Sequence, residues 1–558
     1  MRAHRIYTRR TEARKLREEA AELASLRPHP DHISNAEEAE YRRPNGELSY
    51  IANYSKGLRH NDLGEVIARS YRSLLRPLHS GNPDHFEEIR LGLPDTGLNL
   101  TNPQSGLAFD LEGPDAQAVT MPPAPRIDSP ENSAEMGELY WMALLRDVSF
   151  TDYGTGANTD APTAAFPGGP TTDAANSLTN EFSDFRGPKD VAGNVTPNTL
   201  FRGFTRGDLV GPYLSQFLLI GNNDPDLVPP LTPANGLITY GTLKIDQRQR
   251  TVLSPAAGGR DFLTTFPDWL AVQRGRDDKG ADRFDPQRLF IRNLRDLANY
   301  VHFDALFQEF LNACLILLSL LPPPSAPPFD PGNPYRDSRT QEGFGTFGAP
   351  HILSLLAEVA TRALKAVWFQ KWYVHRRLRP EAFGGRIEVH RPGGVDQDRY
   401  PMIDGEILAS SVLNQVIANF GTALLPQVFP EGSPTHPSYG AGHATVAGAC
   451  ATILKAWFDE SFVLPGSVLV PNAAGTALVN AAPAQQVDLT VGGELNKLAA
   501  NVAIGRNAAG VHWRSDYTQS VRLGEEIAIR LLQEQRPTYN EDHHFTLTRF
   551  DDRTRITI

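Results

Sequence analysis

Cysteine is nearly absent: Cys314 and Cys450 are the only two in 558 residues. Both lie inside apolar helical patterns, so a disulfide framework is excluded and buried free thiols are expected. Methionine is also scarce, at five. That suits a chain exposed to an oxidant, although composition bias accounts for it equally well. No long apolar run occurs; Ala313–Leu321, the longest, is far too short to span a bilayer. The opening Met1–Arg10 lacks the apolar stretch of a secretory signal. A soluble chain without membrane contact is expected, cytoplasmic by default. An excess of positive charge is missing too. The 54 basic and 65 acidic residues leave a net charge of −11, which excludes a general nucleic-acid binder but not a local anion site.

Glycine and proline are plentiful, at 46 and 44, and apolar residues are interspersed among them, so long ordered loops are expected rather than disorder. Residues 5–26 read as a charged helix with few apolar positions. It is an arm lying on a partner subunit or on its own body, or a solvated helix without a role. Helices are predicted near 61–76 and 135–150, with long loops over 92–132 and 152–200 that cover something. Pro267 marks the first turn of a helix over 266–273. Residues 286–321 predict two helices or one long bent one, ended by Pro322–Pro328. The loop after it carries Asp330, Asp337 and Gln341, which form either a hard-cation (calcium) site or a solvated turn. Residues 350–378 give the clearest helical pattern, with more helices near 403–427, 442–459, 494–505 and 515–535. The tail alternates around Asp551-Asp552 as a hairpin. The fold class is mainly α.

Pro434-Thr-His-Pro-Ser-Tyr-Gly-Ala-Gly-His-Ala444 organises the rest. A Gly-rich turn delivers His443 to the first turn of a small-residue helix, where free N–H groups and the helix dipole favour an anion. Lys371 continues the apolar stripe of Leu364, Val367 and Trp368, and a buried Lys needs an anion to meet it. Pro380 stops that helix and turns Arg379 back toward the same place. The neighbouring Arg376 and Arg377 are explained by complementing a helix dipole. Arg506 and His512 flank a Gly-containing bend, and Asp516 lies one helical turn past His512, where it can fix the imidazole tautomer. Three cations, a helix N-terminus and two histidines suit a tetrahedral or trigonal-bipyramidal oxyanion.

Lys371…Arg379-Pro380, Pro437-Ser-Tyr-Gly-Ala-Gly-His443 and Arg506…His512…Asp516 together resemble the three signature motifs of vanadium-dependent haloperoxidases, which are shared with type 2 phosphatidic-acid phosphatases. The Lys-to-Arg interval, the His436/His443 pair, the Val301-His-Phe-Asp-Ala305 segment and the closing hairpin are similar to the bromoperoxidase group of red algae and their cyanobacterial and bacterial relatives. The resemblance implies vanadate as cofactor, with His512 as its axial vanadium ligand. Lys371, Arg379, Arg506 and the Gly442 amide hold its oxygens. His443 takes a proton from hydrogen peroxide, Lys371 polarises bound peroxide, and His436 tunes halide choice toward bromide and iodide over chloride.

Hypohalous acid then halogenates a small organic acceptor such as a phenol. Ala441 stands where the family often has Ser, so one hydroxyl contact of about 1 kcal/mol is missing. The resemblance further implies two four-helix bundles and a homodimer or higher oligomer, up to a dodecamer. Residues 1–280 would be a helical and loop-rich half with the oligomerisation arm, and 281–558 the vanadate-binding half, the two forming one continuous unit. Two other readings use the same residues. One is an acid phosphatase with His512 as nucleophile and His443 as acid; the other is a non-catalytic oligomeric anion-binding protein.

Overall fold

The computed structural model describes residues 2–25, 29–222, 232–320 and 327–558. Leu26 and most of the Pro322–Pro328 run lie outside those residues. The architecture is mainly helical. Its strands among the described residues form four antiparallel pairs, each two-stranded, including the expected tail hairpin Thr546–Thr548 with Arg555–Thr557.

Gly442–Trp457 is the central helix. It packs against Ala349–Phe369, Val491–Ala508 and Arg514–Gln535, and Val491–Ala508 in turn carries Leu294–Phe303. The run of Ala, Gly and Thr after His443 explains how close these helices lie. A Cβ on Gly448 would sit 2.1 Å from the Val521 carbonyl oxygen, and one on Gly524 would sit 2.0 Å from that of Thr445. Only glycine lets the two backbones touch in this way. A second group gathers around Pro130–Leu145, which packs against Pro170–Asn180, Gly405–Ala409 and Ser411–Phe420. Cys314 and Cys450 are free and buried, as expected.

Several boundaries differ from the expectations. The helix predicted near 61–76 is Ala68–Ser80, because Asn61–Gly64 forms a turn in which the Asn61 side chain accepts from the Leu63 and Glu65 amides. The predicted loop 152–200 contains the helix Pro170–Asn180, whose only sequence mark is Pro at its start. Leu289 and Ile291 do not begin a helix. Phe284–Leu289 is a strand paired with Gln249–Val252, and two helices follow, Leu294–Phe303 and Gln308–Ser319, bent by 95°. The pattern predicted to be helical as far as 378 ends as α-helix at Phe369. A single π-helical turn, Gln370–His375, follows, and Arg376 then adopts a left-handed φ of 41°.

The charged arm is the helix Arg2–Ser25. It lies on its own chain, where Arg9 donates to the Glu541 carbonyl and to Asn540 at 3.2 Å each. Among the described residues no single helix is long and apolar enough to cross a membrane.

Candidate functional site

The π-helical turn places Lys371 fully buried against the loop that precedes Gly442. Such turns often mark functional positions in a helix. The Lys371 Nζ donates to the carbonyl oxygens of Pro437 at 2.8 Å and Ser438 at 3.1 Å, and to that of Gly440. It therefore clamps the turn that carries His443. Burial pushes its pKa well below the usual lysine range, with Arg379 and Arg506 adding to the fall and Asp516 opposing it.

Arg379 caps the helix Pro380–His390 from its N-terminal side and faces inward. Its Nε donates to the His436 carbonyl at 3.0 Å and its Nη2 to His436 Nδ1 at 2.9 Å. Its Nη1 donates to the Val511 carbonyl at 2.7 Å and to His512 Nε2 at 2.9 Å. Because a guanidinium only donates, both ring nitrogens must be acceptors. His512 is thus the tautomer protonated on Nδ1, which donates to Asp516 Oδ2 at 2.8 Å. Burial, followed by Arg379, Lys371 and Arg506, holds the His512 pKa well below the ordinary histidine value, so the ring stays neutral. Its Nε2 lone pair faces the cations.

Asp516 is fixed from several sides. Its Oδ2 also accepts from the Trp513 amide at 3.1 Å and from the Ser438 hydroxyl, and its Oδ1 accepts from Arg377 at 3.2 Å. Arg377 is therefore a buried partner of Asp516 and, at 2.9 Å, of Glu135, while Arg376 pairs with Glu38 at 2.6 Å. The helix-dipole account holds for Arg376, which also donates to the Trp372 carbonyl at 2.8 Å in the last turn, and is corrected for Arg377, whose guanidinium is taken up by the buried Glu135 and Asp516.

Arg506, in the last turn of Val491–Ala508, donates from Nη1 to the Val301 carbonyl at 2.9 Å. Its buried Nε has no partner among the described residues. Its guanidinium carbon lies 5.4 Å from the centroid of the Phe429 ring. Burial lowers the Arg379 and Arg506 pKa values to about 10 each.

His443, the second residue of its helix, hydrogen-bonds through Nε2 to Asp304 Oδ1 at 3.1 Å, and its side chain is 18% exposed. Neutral His443 donating from Nε2 leaves its base on Nδ1. Burial lowers its pKa, and Asp304 opposes that shift. His436 is buried, 4.8 Å from Trp368 ring to ring, and burial together with Lys371 and Arg379 depresses its pKa strongly. Ala441 precedes the helix with no side-chain cap, and its amide donates to Ser520 Oγ at 2.7 Å. The amides of Gly442, His443 and Ala444 have no acceptor among the described residues.

The likeness to known proteins is extensive. A family model for the VCPO second helical-bundle domain matches residues 412–541, which hold His436, His443, Arg506, His512 and Asp516. The curated vanadium-dependent bromoperoxidases of Corallina officinalis and Corallina pilulifera are each 41% identical to this chain over 96% of it and 96% of their own length. That of Ascophyllum nodosum is 34% identical over 91% of this chain and 86% of its own. The homohexameric structure of the second vanadate-dependent bromoperoxidase from Ascophyllum nodosum superposes with a TM-score of 0.82. Its sequence is 29% identical, and the match covers 97% of this chain and 89% of that one.

The chain belongs to the vanadium-dependent bromoperoxidases. In this family member an oxyanion fits the cluster on the structure's own terms. The orphaned Arg506 Nε and the unpaired amides of the first helical turn are donors that lack an acceptor, and two further buried cations, Lys371 and Arg379, belong to the same cluster. Calcium finds no comparable support. Asp330 is buried and accepts from the Gly332 amide, Asp337 and Gln341 are exposed, and no metal-ready group of acidic, His or Cys side chains occurs among the described residues.

Sequence reasoning did not single out Asp304, Phe429, Ser438 or Ser520 as site residues. Asp304 did lie within the quoted Val301–Ala305 segment. Ser438 lay within the quoted 437–443 motif without a role assigned to it, while Phe429 and Ser520 carry no motif signal, because each reaches the site by a long-range contact.

The buried cations predict a pH-dependent response to anions. A base whose folded pKa is depressed destabilises the fold while charged, a cost present below the folded pKa and relieved above it. A bound anion offsets that cost. Orthovanadate at a hundred times its Kd should raise the unfolding free energy by about 2.7 kcal/mol near neutrality. The gain should begin to fade as rising pH discharges Lys371 and be lost as it passes through about 10, where Arg379 and Arg506 follow. Thermal melts with and without orthovanadate across pH would check this; a gain that persists well above that value would contradict it.

Proposed function

We propose that this chain is a vanadate-dependent haloperoxidase that turns hydrogen peroxide, a proton and bromide or iodide into hypohalous acid and water. The hypohalous acid then halogenates a small phenolic or similar acceptor. The observation that carries this reading is the neutral His512 with its Nε2 lone pair turned into a cluster of buried cations, held so by Asp516. His512 would hold the vanadium through Nε2. Lys371, Arg379 and Arg506 would neutralise the oxyanion, and the Gly442 amide would donate to it. When bound, vanadate supplies a Lewis-acidic centre whose oxidation state does not change.

The chain's own residues handle orientation and protons. Neutral His443 accepts a proton from hydrogen peroxide at Nδ1, while Asp304 holds the ring through Nε2. Its partial exposure lets it exchange that proton with solvent. Lys371 polarises peroxide and keeps the turn before Gly442 in place. His436 acts through Arg379, whose Nη2 it accepts, and favours bromide and iodide over chloride. The hexameric relative supports a homo-oligomer for this chain as well, from a dimer to a dodecamer. The two halves of the sequence act as one unit, since a single apolar core includes both Trp141 and Leu495.

The decisive experiment strips the protein of anions, restores orthovanadate, and follows bromination of a phenolic dye with peroxide. Vanadate-dependent bromination is expected. Absence of bromination together with hydrolysis of a phosphomonoester would replace this reading with the phosphatase one; binding without either activity would leave a non-catalytic anion-binding protein. Ala441→Ser adds a hydroxyl beside the unpaired amides, and vanadate should then bind about fivefold more tightly, the equivalent of about 1 kcal/mol. A titration with unchanged affinity would show that the hydroxyl does not reach the anion.

A further inference from the structure

The bend between Leu294–Phe303 and Gln308–Ser319 brings two carboxyl groups together behind His443. Asp304 follows the first helix in an extended conformation, and Glu309 lies in the first turn of the second. The Glu309 side chain is completely buried, and neither of its oxygens has an ordinary hydrogen-bond partner; Asp304 Oδ2 has none either. Each carboxyl is the other's hydrogen-bonding neighbour. The other titratable groups facing Glu309 are Tyr300, on the preceding helix, and Cys450, on the helix that carries His443; neither is a cation. Asp304 faces both His443 and Arg506. Two carboxylates in contact in a dry site cannot both ionise. One proton must lie between them, and the carboxyl without a cation keeps it.

We propose that Glu309 is a neutral carboxylic acid that donates its proton to Asp304 Oδ2 and thereby positions and tempers the Asp304–His443 pair. This role rests on the reading of His443 as the proton acceptor. Glu309 is a positioning residue: it touches neither peroxide nor the oxyanion. Burial, followed by Asp304, pushes Glu309 well above the usual carboxylate range. Burial raises Asp304 too, but His443, Glu309 and Arg506 together outweigh it and leave Asp304 below its usual value. Sharing the Asp304 charge with a donor weakens its pull on the His443 proton. The imidazole can then release the proton that it accepts.

The proposal separates two substitutions. Glu309→Gln keeps an N–H donor toward Asp304, so kcat/KM for peroxide should stay within about threefold of the parent, with the acid limb of its pH profile unmoved. Glu309→Leu removes the donor, and Asp304 then holds the His443 proton more tightly. The acid limb should move up by about one pH unit, as should the His443 pKa followed by NMR of the anion-free protein. Infrared spectroscopy of the anion-free protein at neutral pH should show a neutral-acid carbonyl stretch that Glu309→Gln abolishes.

A wild-type spectrum without that band, or a Glu309→Gln limb displaced downward by a unit, would mean that Glu309 is charged and would overturn the proposal. An unmoved limb and unmoved His443 titration in Glu309→Leu would overturn it as well. If the wild type does not brominate at all, the functional reading fails, while the infrared band and the NMR titration still decide the state and role of Glu309. They also decide it if the Leu variant does not fold, because the Gln variant preserves shape and donor.

Discussion

His512→Ala is expected to abolish vanadate-dependent bromination, with kcat/KM falling at least about 10³-fold, or ~4 kcal/mol of transition-state stabilisation. No other described histidine is both oriented by a carboxylate on one ring nitrogen and met by Arg379 on the other. His436 is committed differently, since its Nδ1 accepts from Arg379 while its ring packs on Trp368. The fold should survive. Val511 still accepts from Arg379 Nη1, and Asp516 keeps Trp513, Ser438 and Arg377 as donors. Circular dichroism would confirm folding while a dye-bromination assay and a vanadate titration report the loss. Wild-type affinity and turnover in the variant would remove His512 from the ligand role.

Asp516→Ala should produce a different pattern, damaging stability and activity together. The carboxylate accepts from His512, Trp513, Ser438 and Arg377, so its removal leaves several buried donors without an acceptor. Arg377 keeps Glu135, Asn132 and Ser515, which limits the damage. A loss of about 2–4 kcal/mol in unfolding free energy is expected. His512 would also be free to adopt the other tautomer and to rotate, weakening oxyanion affinity by about 10–100-fold. Denaturant unfolding and vanadate titration measure the two effects separately. An intact affinity in a destabilised variant would reduce Asp516 to a structural cap of the Arg514–Gln535 helix.

The site was legible in the sequence to the extent that its residues sit in local patterns. Lys371 could be found because a cation interrupts an apolar stripe, and Arg379 because Pro380 ends the preceding run. His512 and Asp516 lie one helical turn apart, and that spacing alone puts a carboxylate on the imidazole. The bonds from Lys371 to the 437–440 carbonyls were not legible, because they join segments more than sixty residues apart. Nor was the role of Arg377. Its place beside two other basic residues suggested a helix end, whereas a left-handed residue and a π-helical turn redirect it to Glu135 and Asp516.

Helical periodicity and the small-residue run after His443 determined by themselves that the chain is mainly α and that one helix lies at the centre of close packing. Motif spacing determined which side chains could form an oxyanion site. Only the tertiary structure decided their protonation and partners. The His512 tautomer follows from Arg379 arriving at Nε2, and the His443 base on Nδ1 from Asp304 holding Nε2. The meeting of Asp304 with Glu309 follows from a 95° bend between two helices that the apolar pattern alone could not distinguish from one long bent helix. Spacing along a chain fixes which residues share a helical face. It does not say which distant segment brings the hydrogen-bond donor, and in a dry pocket that donor sets the charge of every group it meets.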